Sequence, residues 1–154
     1  MVRFSSKDLS PELRKRINAV INIEPVVKKV ATDAIRLEVK PLSVNAAYRG
    51  RRFRSSEYQD FKKQMEMALK QNPIKIPNSK YLKIFFDFGL SNNAADWDGP
   101  IKTAQDCLFE HIGLNDKVIR AGEVVTTMVD VGNEYIWVRL EPYTPTDLRL
   151  AKVK

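Results

Sequence analysis

Cysteine and histidine are almost missing from this chain: Cys107 and His111 are the single examples in 154 residues. One thiol excludes an internal disulfide and a cysteine-rich zinc site, and makes a reducing, intracellular (cytoplasmic) setting the default expectation. One histidine without histidine or cysteine partners excludes a zinc centre built on such ligands. No Ser/His/Asp nucleophile arrangement has specific support, and no phosphate-binding glycine loop is present. No apolar run approaches the ~20 residues that span a bilayer, and no signal-peptide core stands at the N-terminus, so no membrane role is expected.

Positive charge is what the chain has in excess. Lysine and arginine number 26 against 19 acidic residues, for a formal net charge of +7. Clustered cations gain affinity for a polyanion by releasing its counterions, which points to nucleic acid, although ribosomal and membrane-surface proteins share the property. Hydrophobic content of 44% with 29% charged residues is ordinary for a globular protein, and the length suits one domain with a sizeable core.

Residues 5–21 read as an amphipathic helix, with Ser10 at the N-cap and Pro11 at the first turn. Its stripe is Leu9, Leu13, Ile17, Val20 and Ile21. Ala34 to Lys40 alternates as a strand stopped by Pro41. Arg49, Arg51, Arg52 and Arg54 then surround Gly50, with Tyr48 and Phe53 interleaved. Such a loop can grip phosphates and stack on unpaired bases, or be a solvated basic turn. Ser56 with Gln59 predicts a helix from about Glu57, carrying Tyr58, Phe61, Met65, Ala68 and Leu69 on its apolar stripe. Tyr81 to Phe88 reads as a central strand with aromatic residues on both faces. A helix from Pro100 to Ile112 stops at Gly113, with Cys107 and Leu108 facing the core and His111 in its last turn. Val118 to Val131, bulged or broken near Gly122, and Tyr135 to Leu140 read as two arms of a hairpin turning at Gly132-Asn133. The order α-β-α-β-α-β-β predicts a single α+β domain, a mixed β-sheet with packed helices. The expected divisions are a helical extension at 1–33, the main domain at 34–141 and a basic tail at 142–154.

Against the basic background stands Asp96-Trp97-Asp98-Gly99-Pro100. Two carboxylates at the mouth of a helix can hold a divalent cation, Mg²⁺ with Mn²⁺ as a substitute, and so serve phosphodiester cleavage. Lys102 and Asp106 follow Asp98 at steps of four, on one side of the helix. Lys102 suits a phosphate or leaving group as a point charge, and Asp116 is the natural third carboxylate. The competing reading makes Asp98 an N-cap, and Lys102 with Asp106 a surface pair.

Three motifs in one order resemble the RusA-type Holliday-junction resolvases. They are Pro41-Leu42-Ser43-Val44-Asn45-Ala46-Ala47-Tyr48; Asp96-Trp97-Asp98-Gly99 with Lys102 and Asp106-Cys107-Leu108; and Gly113-Leu114-Asn115-Asp116. The match runs over residues 34–141. The resemblance implies Mg²⁺ on Asp96, Asp98 and Asp116, assistance from Lys102, and a homodimer that nicks opposing strands of a four-way DNA junction. Asn45, Tyr48, Arg49, Arg51, Arg52 and Arg54 would hold the DNA, and Asp106 and Asn115 would support the metal ligands. Gly99 departs from the family's asparagine, and Asn115 from the first of its paired aspartates. The alternatives are a nuclease for flaps or forks, and a non-catalytic basic nucleic-acid-binding protein. A helix from Pro100 to Ile112 is ~18–20 Å long and three extended residues recover only ~10 Å. Asp116 therefore meets Asp98 through a short or tilted helix, or completes the site of a partner subunit.

Overall fold

The computed structural model of the chain describes residues 11–12, 33–49 and 53–146. The chain divides into two units, Met1–Ala31 and Thr32–Lys154. The helix expected at 5–21 lies outside the described residues, apart from Pro11 and Glu12, which are helical. The arginines at 51 and 52 and the tail from 147 onward also lie outside them.

The second unit is α+β. Its elements are β1 (Ile35–Leu37), α1 (Val44–Ala47), β2 (Tyr48–Arg49), β3 (Phe53–Arg54), α2 (Ser56–Gln71), β4 (Tyr81–Leu90), α3 (Ile101–Ile112), a 3₁₀ turn (Asp116–Val118), β5 (Ile119–Met128) and β6 (Tyr135–Tyr143). Helix α2 is capped by Ser55, whose hydroxyl accepts from the Tyr58 backbone, one residue before the expected cap. Tyr58, Phe61, Met65 and Leu69 are its buried stripe. Helix α3 ends at Gly113, whose left-handed φ of 71° a residue with a Cβ rarely adopts.

The main sheet runs β1-β6-β4-β5, and β2 and β3 pair separately as a small hairpin. Strand β4 is parallel to β5 and antiparallel to β6. The expected β5–β6 hairpin is therefore wrong: β4 lies between the two strands. The turn at Gly132-Asn133 exists, with Asn133 N donating to Asp130 O at 3.0 Å. Strand β5 stops at Met128, however, so residues 129–134 are free to cross the end of β4. Strands two places apart are separated by only ~10 Å, within the reach of such a connection. Strand β5 is not broken, and the expected irregularity near Gly122 falls at Arg120, which the register with β4 skips between Leu82–Ile119 and Lys83–Ala121.

Alternation in β4 divides the sheet into two faces. Leu82, Ile84, Phe86 and Phe88 point with Leu37, Ile136 and Val138 into one core, filled from α2 and α3 by Tyr58, Met65, Leu69, Ala104, Cys107 and Leu108. On the other face Tyr81, Lys83, Phe85, Asp87, Trp137 and Arg139 are half-buried. No described helix is long and apolar enough to cross a membrane.

Candidate functional site

Strand β4 delivers the chain to residues 91–100. Asn92 Oδ1 accepts from Ala94 N at 2.9 Å, and the Asp96 carbonyl then accepts from Gly99 N at 3.3 Å. Asp96 and Asp98 stay exposed while Gly99 and Pro100 are buried. The N-cap of α3 is Pro100, with no side-chain capping bond, so Asp98 does not cap the helix. Among the described residues neither carboxylate has an ion pair.

The motif from Pro41 to Tyr48 is latched to this turn. Val44 N donates to Gly99 O at 2.9 Å, and the buried Thr103 hydroxyl donates to the Leu42 carbonyl. The close approach accounts for Gly99: a Cβ there would lie 3.3 Å from Ser43 Cβ. A larger residue would press on the latch. Beneath it a cleft of about 380 Å³ is lined by Lys40, Asn45, Ser91, Asp96 and Glu134 among others. The Ser91 hydroxyl donates to Glu134 at 2.7 Å and holds that carboxyl below its ordinary value. Sequence reasoning missed Thr103, Ser91 and Glu134, because their partners lie 61 and 43 residues away and no spacing signals them.

Lys102 is the bridge along α3. Its ammonium donates to Asp106 Oδ1 at 2.6 Å and stands 3.9 Å from Asp116 Oδ2. The hydrogen bond to Asp106, with the charges of Asp106 and Asp116, holds it above the usual lysine range, so it stays protonated at neutral pH. Asp116 reaches Lys102 within its own chain. After Gly113 reverses the chain, Asn115 caps the 3₁₀ turn by accepting from Lys117 N at 2.9 Å, which holds Asp116 beside the middle of α3. The long lysine side chain spans the remaining distance.

Next to this group lies the basic hairpin. Tyr48 pairs with Arg54 across it, and the Tyr48 ring stacks on Tyr58 at 6.3 Å between centroids. The Arg54 guanidinium covers the other end of that arrangement, 4.6 Å from the Tyr58 ring centre. Tyr48 is close enough to Lys102 to act on its charge. The Arg49 backbone belongs to β2. Asn45 is exposed at the cleft and Phe53 is 74% exposed at the hairpin.

Every candidate ligand is a carboxylate, and such hard oxygen donors fit Mg²⁺ or Mn²⁺. Among the described residues no group of three acidic, histidine or cysteine side chains is gathered closely enough to hold one ion. Asp96 and Asp98 precede α3, Asp106 lies on its second turn, and Lys102 between them pairs with Asp106 and Asp116. The chain matches no family model and no curated protein.

Proposed function

We propose that the chain is a Mg²⁺-dependent endonuclease for branched DNA, a junction resolvase of the RusA type acting as a homodimer. The observation that carries the reading is Lys102, drawn to Asp106 and Asp116 of its own chain just beyond a turn that leaves Asp96 and Asp98 exposed and uncapped. Among the described residues these two carboxylates neither cap the helix nor form an ion pair, which leaves both open to a cation.

Asp96, Asp98 and Asp116, which are not gathered around one point without an ion, would have to close on it to hold it; when bound it would supply an activated water and charge neutralisation at phosphorus. Lys102 stabilises negative charge on the scissile phosphate or leaving oxygen as a fixed cation, its position set by Asp106. Arg54 and its neighbours on the hairpin hold the DNA backbone. Tyr48 belongs to the same hairpin and stacks on Tyr58 of α2. Two symmetric incisions need two such sites, hence a homodimer.

Asp96→Asn tests the proposal on four-way junctions, flaps, forks and linear duplex, each with Mg²⁺ and with EDTA. The wild-type chain should cut junctions in Mg²⁺ alone, and the variant should bind them without cutting. Full cleavage by the variant removes the metal site. Preference for flaps or forks makes the chain a different branch nuclease. Salt-sensitive binding with no product on any substrate makes it a binding protein.

A further inference from the structure

The turn bearing Asp96 and Asp98 also presents the residue between them. Asp96 O accepts from Gly99 N at 3.3 Å and Asp98 O from Ile101 N at 3.2 Å, two overlapping turns whose outer corner is Trp97. Buried Gly99 and Pro100 anchor the base of the corner. Trp97 is left 62% exposed, the largest side chain among the exposed apolar residues described. Asp96 lines the cleft and Trp97 does not. The other tryptophan, Trp137, is half-buried on the sheet face away from the helices. An indole held in water at the apex of an anchored turn contributes nothing to the core, and its hydration is unfavourable.

Its surroundings select what can cover it. Asp96 and Asp98 on either side repel any phosphate that no metal ion bridges, whereas Lys102 and the basic hairpin attract one. The part of a nucleic acid that can sit on a ring between two carboxylates without Coulomb cost is the uncharged face of a base. In a continuous duplex both faces of each base are covered by its neighbours, so a free face exists only where stacking is interrupted. We infer that Trp97 is the stacking platform for an unstacked base at a DNA branch point, and that it makes the chain favour branched over linear DNA. The inference rests on the nucleic-acid reading above and adds the feature recognised: a bare base face rather than backbone charge.

Trp137→Phe leaves Trp97 as the sole tryptophan of the two in the chain. Its emission is titrated in EDTA, so that no cutting intervenes, with a four-way junction and with linear duplex of the same sequence. The junction should quench it and the duplex should not; the difference between wild-type and Trp97→Phe emission reports the same ring if Trp137→Phe fails to fold. Trp97→Ala should lower junction affinity about 5- to 100-fold, with duplex affinity and melting temperature unchanged, and Trp97→Phe should recover most of the loss. Unchanged Trp97 emission at saturating junction overturns the inference, as does an equal loss on both DNAs. A dimer that falls to monomer on Trp97→Ala overturns it too, because the ring would then be a contact between copies. Failure of the wild-type chain to prefer the junction removes the proposed function and this inference together, whereas junction binding with a silent Trp97 removes this inference alone.

Discussion

Gly89 lies in β4 directly opposite Tyr135 of β6. A Cβ at this position falls 2.6 Å from two carbons of the Tyr135 ring, where unstrained carbon contacts run ~3.5–4.0 Å. Gly89→Ala therefore requires the ring to retreat by about 1 Å. The ring is poorly placed to do so. It is 8% exposed, its hydroxyl donates to Asp87 Oδ2 at 3.4 Å, and the Arg36 guanidinium lies 4.6 Å from its centre. Overpacking costs about 1–3 kcal/mol, against about 0.5–1 kcal/mol recovered by restricting the unfolded chain. The expected net loss is about 1–2 kcal/mol, a fall in melting temperature of roughly 3–8 °C. Urea unfolding of a double-mutant cycle measures it. In a Tyr135→Leu background the same substitution should become neutral or stabilising, a coupling of about 1–2 kcal/mol. Equal cost in both backgrounds would refute the steric argument. Gly89 and Leu90 also line the cleft, so the variant tests whether the floor of the site tolerates movement of β6.

Arg54→Ala should weaken DNA binding on all sequences and reduce the slope of log affinity against log salt by about one, read by anisotropy over a salt series. An unchanged slope takes Arg54 off the DNA path. Ser91→Ala should destabilise the chain in a pH-dependent way, because the Ser91 hydroxyl is the main cause of the lowered Glu134 pKa. A carboxyl with a lowered folded pKa contributes stability above its ordinary value of 4.5, which is lost as pH falls through the folded value. The deficit should thus be present near pH 7 and shrink as pH falls below 4.5 in urea titrations, and a deficit independent of pH contradicts it. Cys107 Sγ is buried, 3.6 Å from the Tyr58 hydroxyl, and burial raises the thiol pKa. It should resist alkylation in the folded chain near pH 8 and react on unfolding, as followed by mass spectrometry.

Much of this fold was legible because its signals are local. The period of Tyr58, Phe61, Met65 and Leu69 and the stop at Gly113 depend on neighbours within one or two turns, and α2 and α3 lie where those signals put them. The sheet order was not legible, since nothing in β5 or β6 says which edge of β4 each will take. The same limit hid part of the site. Spacing grouped Lys102 with Asp106 on one helix face, and the ion pair is there. Whether Asp116 returned to that face depended on a reversal at Gly113 and a cap by Asn115, which helix length alone did not specify. The latch between Thr103 and Leu42 had no sequence signature.

The place of β6 fixes the order in which the sheet can be closed. This strand, the last of those described, lies second in the sheet, between β1 and β4, and among the described residues β1 pairs with no other strand. The other described strands all precede it in the chain, and until β6 arrives β1 has no described partner and β4 exposes a whole edge. The sheet cannot close by sequential addition of neighbours; its middle is inserted at the end. Until β6 pairs, the unit carries open strand edges, the kind of surface that chaperones shield and that aggregation exploits.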